Sequence, residues 1–247
     1  MLKLKAHQYK ALTVRTGRVQ TSEINTPEGV AFGKKATIKL VAGPTYEETH
    51  LTTNLPKEAI EKIEVVLNGD SDYVIAGEEL VMLEKFKKHA GAGVAVDGEY
   101  TYVIPYADLC GRTIESQSQT SFVTVAGDNI FIKVHIRPKA SEPSADAWPD
   151  VNAISLDGVN HTSAGKSVRL YRHQIKTLQS QNLSVGERTF YDLPRDVLLR
   201  RVHIKGDIAK FELKIDGLSK KQESKGQNDF QLARAGVLGR SPQAGYF

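Results

Sequence analysis

The chain has 247 residues, of which 40% are hydrophobic and 25% charged, with a formal net charge of +4 and a pI near 9.0. Those values belong to a folded protein with a buried core and exclude disordered, collagen-like and coiled-coil designs. Lys and Arg interleave with Asp and Glu over most of the length, which argues against a dedicated nucleic-acid binder, and the single cysteine, Cys110, excludes an intrachain disulfide and suits synthesis in a reducing compartment.

The chain opens on a basic arm, residues 1–20, in which Lys3, Lys5, Lys10, Arg15 and Arg18 precede the first acidic residue, Glu23. The arm lacks the apolar run and small-residue cleavage site of a signal peptide, and no stretch of about 18 apolar residues exists anywhere to span a bilayer. Interleaved with Leu2, Leu4, Tyr9, Leu12 and Val14, these cations fit an anionic lipid surface, where each contributes about 1 kcal/mol. An edge strand guarded by lysines fits the same pattern equally well, and nucleic-acid contact is a third reading of lower weight.

Short, β-branched or aromatic segments then follow one another: Ala36 to Val41, Glu47 to Thr53, Ile60 to Leu67, Tyr100 to Tyr106, Ser121 to Val125 and Ile130 to Ile136. Asn68-Gly69, Asp97-Gly98, Asp157-Gly158, Asp216-Gly217 and Gly127-Asp128-Asn129 supply residues that tolerate positive φ and predict tight turns. Only two helix patterns break this all-β spacing. One runs from Glu78 to Ala90 and stops at Gly91; the other runs from about Asp229 to Ala235, capped by Asn228 or Asp229, with Phe230 and Leu232 as its apolar contacts and Gly236 as its stop. Parallel α/β folds need a helix between successive strands and are disfavoured. Between the halves lies a stretch from Arg137 to Asp150 in which Pro138, Pro143 and Pro149 interrupt any central strand, predicting a linker over residues 138–150.

A weak internal duplication organises the chain. Asn54-Leu-Pro-Lys-Glu-Ala-Ile60 answers Asp192-Leu-Pro-Arg-Asp-Val-Leu198, and each is followed by strand-rich sequence, an Asn-Gly or Asp-Gly turn (Asn68-Gly69, Asp216-Gly217) and a short helix closing on Ala-Gly. Two related β-sandwiches are therefore expected, 21–137 and 151–247. The second lacks a counterpart of the strands from Tyr100 to Ile136, which predicts a native chain on the order of 40 residues longer; a second half that is simply smaller, or edge strands supplied by a neighbour, are the other readings.

Catalytic chemistry finds no support. Gly165-Lys166-Ser167 resembles the end of a phosphate-binding loop, but the glycine required five positions earlier is Asn160. His135, His161, His173 and His203 form no H-x-H or H-E-x-x-H ligand set, no Gly-x-Ser-x-Gly elbow exists, and Cys110 has no local activator. No cofactor is expected. Calcium is the one ion for which oxygen ligands are spaced in turns, at Asp70 and Asp72 and at Asp128 and Asn129, although neither pair continues into an EF-hand series and turn chemistry accounts for both.

The paired signatures Leu55-Pro56, Asn68-Gly69, Leu193-Pro194 and Asp216-Gly217, embedded in short strands from Ala36 to Phe247, resemble the double jelly-roll major capsid proteins of tailless, membrane-containing icosahedral dsDNA bacteriophages, of the corticovirus and autolykivirus type. The resemblance implies an all-β fold of two tandem jelly-roll sandwiches with one short helix inserted in each. It further implies a non-enzymatic coat protein that forms homotrimers and tiles a shell with other capsid proteins such as a penton, its arm facing an internal membrane. By the same resemblance the protein resides in the virion and assembles in the host cytoplasm, with no specific nucleic acid bound. A carbohydrate- or host-binding β-sandwich module, as in a viral spike, is the alternative, with an enzyme on a jelly-roll scaffold third.

Overall fold

The computed structural model describes residues 20–24, 27–89, 91–107, 121–139, 148–151, 154–161, 174–177, 184–190, 193, 194, 197, 199, 201–235 and 240–247. The chain divides into two compact units, Met1–Lys176 and Thr177–Phe247.

Among the described residues the first unit holds nine strands: β1 (Gln20–Ile24), β2 (Lys35–Leu40), β3 (Thr45–Thr53), β4 (Ile60–Leu67), β5 (Asp70–Ile75), β6 (Tyr100–Pro105), β7 (Phe122–Val123), β8 (Ile130–Ile136) and β9 (Ile154–His161). A helix, α1 (Gly77–Phe86), stands between β5 and β6. One sheet has the order β1-β9-β3-β6, with β7 also pairing β3; the other has the order β2-β8-β4-β5, and every strand pair is antiparallel. The strands that neighbour one another are thus mostly distant in sequence, which is the jelly-roll winding.

Period-two alternation decides which side chains enter the core. Ile130, Ile132, Val134 and Ile136 on β8, and Ala36, Ile38 and Leu40 on β2, are buried, while the residues between them reach solvent. Aromatic rings fill the space that aliphatic side chains leave: Tyr73 meets Tyr106 edge-on at 5.1 Å, and Tyr106 stacks on Phe122 at 5.1 Å. Their hydroxyls are satisfied, as burial demands. Tyr102 donates to the Leu55 carbonyl (2.9 Å), Tyr46 to the Val41 carbonyl (2.8 Å), and Tyr106 shares a hydrogen bond with Thr49 (3.1 Å). Burial pushes the Tyr46 phenol up to about 12 and the Tyr73 phenol well above its ordinary range.

Several expectations need correction. Asp157-Gly158 is not a turn but the middle of β9; a Cβ at Gly158 would lie 2.7 Å from a ring carbon of Tyr46, so the glycine serves close packing. Because β9 inserts between β1 and β3, residues 154–161 belong to the first unit and not to a second sandwich starting at residue 151. The described ends of the expected linker are likewise pinned to the first unit. Trp148 is buried and stacks on Phe32 at 6.2 Å, Lys139 lies over the same ring, and Asp150 accepts from Asn54 through its carbonyl and from Lys139 through its carboxylate. Farther on, Ile175 pairs with Tyr73 in parallel, its carbonyl accepting from Val74 N–H (2.8 Å), while Gln174 donates to buried Asp72 (2.8 Å). Helix α1 stops before Gly91, on a Schellman motif in which Lys88 takes φ +60°, Lys88 N–H reaches the Lys85 carbonyl and His89 N–H the Glu84 carbonyl.

Within the second unit, β10 (Lys210–Ile215) and β11 (Leu218–Ser224) form an antiparallel hairpin around Asp216-Gly217, followed by helix α2 (Lys225–Arg234). The cap expected at Asn228 or Asp229 is instead Ser224, whose hydroxyl accepts from Gln227 N–H while the Gln227 side chain accepts from Ser224 N–H, a reciprocal capping box. Phe230, expected to make an apolar contact, is 65% exposed. Residues near Phe247 pair with those near Ile204 through reciprocal backbone bonds, and the Phe247 ring meets Phe211 at 5.6 Å.

Candidate functional site

The residues that carry the duplication have structural work in the first unit. Leu55 is fully buried and Pro56 opens a 3-10 turn, Lys57–Ala59, that leads into β4. Asn68 and Gly69 close the β4–β5 hairpin with φ +52° and +98°. Asn68 also clamps a second turn: its side-chain N–H donates to Asp128 Oδ1 (3.0 Å), its Oδ1 accepts from Asn129 N–H (2.8 Å), and its backbone N–H donates to the Asn129 carbonyl (2.8 Å). Asp128 Oδ2 in turn accepts from Val125 N–H (2.8 Å). In the second unit Leu193 is half-buried and Pro194 exposed, and Asp216-Gly217 repeats the hairpin turn with φ +52° and +75°. The arm residues Lys3, Lys5, Lys10, Arg15 and Arg18 lie outside the described residues, as do Cys110, Gly165-Lys166-Ser167 and His173.

One carboxylate in each oxygen-ligand pair accepts protein hydrogen bonds, Asp72 from Gln174 and Asp128 from Asn68 and Val125. Among the described residues no group of three His, Cys, Asp or Glu is placed to hold a metal ion.

Imidazole–carboxylate pairs were not foreseen. On β3, Glu48 and His50 share one face and meet at 3.2 Å; at the C-terminal end of α1, Glu84 and His89 meet at 2.8 Å. The antiparallel register sets Asp157 of β9 opposite His50. The hydrogen bond to Glu48 is the largest influence on His50 and raises its pKa against the opposing effect of burial; the same bond holds Glu48 below its ordinary value. Glu84 also lines a cavity of about 170 Å³ between α1 and β6, together with Leu80, Val81, Gly93, Thr101 and Tyr102. A spacing of two within a strand was the available signal for Glu48 and His50, because such residues point to one face. The first pair lies within a single strand, and the second closes a helix end.

Both units also leave large apolar side chains exposed, Val41, Val94 and Val96 in the first and several in the second. Ile215, Leu218 and Phe230 are 49%, 63% and 65% exposed, and Val202 and Phe190 are exposed as well. Apolar surface gathered into a contiguous patch marks contact with another macromolecule, whereas single exposed side chains are ordinary.

Comparison with known proteins agrees with that reading. A model described as the viral coat protein P2 N-terminal domain matches residues 21–152, and one described as the viral coat protein P2 C-terminal domain matches residues 172–247. The fold is similar to the major capsid protein P2 from bacteriophage PM2, with a TM-score of 0.71 at 18% identity over 93% of this chain and 81% of that one. Weaker similarity reaches the PBCV-1 virus capsid protein (TM-score 0.43, 7% identity, 59% of this chain and 42% of that one) and the STIV major capsid protein (TM-score 0.38, 12% identity, 60% and 50%). No curated protein matches the chain by sequence. The matched family is one of viral coat proteins and not of enzymes, and the matched fold is a double jelly roll. The chain belongs to the viral coat protein P2 family, and its role is that of a structural capsid subunit that self-associates into a shell.

Proposed function

We propose that the chain is the major coat subunit of a tailless bacteriophage virion, that three copies form a trimer, and that trimers tile an icosahedral shell together with a penton protein. The family match over both domains carries this reading, and the fold likeness to a bacteriophage major capsid protein supports it. The exposed Ile215, Leu218 and Phe230 supply apolar surface of the kind that permanent interfaces bury. Closed cyclic association lets one patch serve every copy.

The basic arm, with Lys3, Lys5, Lys10, Arg15 and Arg18, faces the inner side of the shell and lies on an anionic membrane. The signatures Leu55-Pro56, Asn68-Gly69, Leu193-Pro194 and Asp216-Gly217 mark two halves of an internal duplication. Assembly takes place in the host cytoplasm. Native mass spectrometry of the full chain tests the trimer: a three-subunit species supports it, and a monomer at micromolar concentration rejects it. Deleting residues 2–18 should leave the circular dichroism spectrum and the trimer intact while reducing flotation with vesicles rich in anionic lipid. Unchanged flotation would reject the arm's role without touching the coat reading.

A further inference from the structure

The Asn68 clamp bears on a reaction that the coat role does not use. Asn68-Gly69 is the sole Asn-Gly dipeptide in the sequence, and glycine, having no Cβ, leaves its own backbone nitrogen unshielded by a side chain. That nitrogen is a nucleophile one residue from the Asn68 side-chain amide. In the folded turn, however, both heteroatoms of that amide are directed at the facing turn, Nδ2 toward Asp128 at 3.0 Å and Oδ1 toward the N–H of Asn129 at 2.8 Å.

The second unit shows that the turn itself does not require an amide. Asp216 takes the same φ of +52° before Gly217. What requires the amide at position 68 is its partner: Nδ2 donates to a carboxylate, which an aspartate at 68 could not do.

We propose that Asn68 is a site of spontaneous deamidation whose rate is set by the clamp from Asp128 and Asn129, so that the modification accumulates on subunits whose clamp has opened. When the side chain swings free, the Gly69 nitrogen, deprotonated by base, attacks Asn68 Cγ. The new N–Cγ bond forms as the Cγ–Nδ2 bond breaks, and ammonia leaves with a proton taken from water. Water then adds to either carbonyl of the cyclic imide and cleaves its bond to the Gly69 nitrogen. One opening yields aspartate and the other isoaspartate. No oxidant or reductant is consumed.

Either product prevents the clamp from closing again. Aspartate sets a second negative charge against Asp128 at hydrogen-bond distance, and isoaspartate adds a methylene to a two-residue turn whose flanking pair is Leu67 with Asp70. The β4–β5 and β7–β8 turns then separate, so a subunit that has opened once becomes easier to open again.

Peptide mass spectrometry of the full chain after alkaline incubation tests this, following residue 68 in folded protein, in the same protein unfolded by urea, and in Asp128→Ala. Deamidation at Asn68 should be slower in the folded chain than in the unfolded one by about tenfold or more, the suppression expected from two side-chain hydrogen bonds. Asp128→Ala should recover a large part of that difference. Equal rates in folded and unfolded wild type would overturn the proposal, as would an absence of deamidation at Asn68 in urea. Should Asp128→Ala fail to fold, the wild-type comparison still decides.

Discussion

The molecule builds one local motif twice and surrounds it differently. In the first unit β4, a tight turn, β5 and α1 follow one another; in the second β10, a tight turn, β11 and α2 do the same. Both turns place a residue at φ +52° before a glycine, and both hairpins carry a register shift three residues ahead of it, between Val65 and Val66 and between Leu213 and Lys214. The helix cap follows the turn glycine by seven residues in each, Gly69 to Ala76 and Gly217 to Ser224, and both helices span ten residues. Yet α1 buries Leu80, Val81, Met82, Leu83 and Phe86, whereas no residue of α2 is buried. Turn, bulge and cap are written locally. Burial is supplied from elsewhere, by β6, β4 and the 3-10 turn that α1 packs against in the first unit and, on the coat reading, by neighbouring subunits in the second.

The sharpest way to break the comparison is to remove one large side chain from each helix. Leu80→Ala should cost about 2–5 kcal/mol, since Leu80 is 1% exposed and its loss leaves a cavity beside α1. Phe230→Ala should change the stability of the isolated chain by no more than about 0.5 kcal/mol, while weakening subunit association. Urea unfolding at one protein concentration reads the first quantity and native mass spectrometry the second. A Phe230→Ala cost equal to that of Leu80→Ala would mean that α2 is packed within its own chain and would remove the contrast.

Glycines refine it. Gly77 begins α1, and a Cβ there would lie 2.5 Å from the Lys57 carbonyl oxygen and 2.9 Å from the Ile60 Cβ. Alanine is the better helix former, but here it should destabilise by about 1–3 kcal/mol through overpacking. Gly226 occupies the first turn of α2 with nothing within 4 Å of such an atom. Gly226→Ala should therefore stabilise by about 0.5–1 kcal/mol. Opposite signs in thermal melts would confirm that one helix start is moulded to its neighbours and the other is governed by propensity. A stabilising Gly77→Ala would show that the contact with the 3-10 turn yields easily.

The same contrast explains what could be read from the sequence. Most strands of the first unit were legible from alternation and turn residues, with Ile60–Leu67 and Ile130–Ile136 found at their observed bounds. β9 was hidden because Asp157-Gly158 has the composition of a turn, and only the packing of Tyr46 on Gly158 shows that the glycine serves a close approach. Without β9, the division between the halves was placed too early. In α2 the signal was present, since Ser224 and Gln227 have capping-box spacing, but Asp229 suggested a later start. The stop of α1 moved forward for a reason that composition conceals: Lys88 adopts the left-handed conformation before the chain reaches Gly91. The histidine pairs were overlooked because metal spacing was sought where partners lay two residues away on a strand or across a helix end.

The smallest expected effect concerns one of those pairs, which has no equivalent described in the second unit. His50 faces Glu48 on its own strand and Asp157 on β9 and feels the charge of Glu84 from α1, while Lys87 and His89 at the end of α1 act on Glu48. Its pKa in the folded chain lies above the ordinary value of 6.5, owing first to the Glu48 hydrogen bond. Protonated His50 is therefore favoured by folding. The stability it adds is complete below pH 6.5 and is lost as pH rises through the raised value. Glu48 is held below its ordinary 4.5, so its contribution is present above that pH and lost as pH falls through the lowered value. The pair is strongest between the two limits. Partial exposure screens it, so His50→Gln should cost no more than about 1 kcal/mol at pH 6. The variant should also flatten the decline in urea midpoint expected of the wild type as pH rises above 6.5. An identical decline in both proteins would assign that pH dependence to another group.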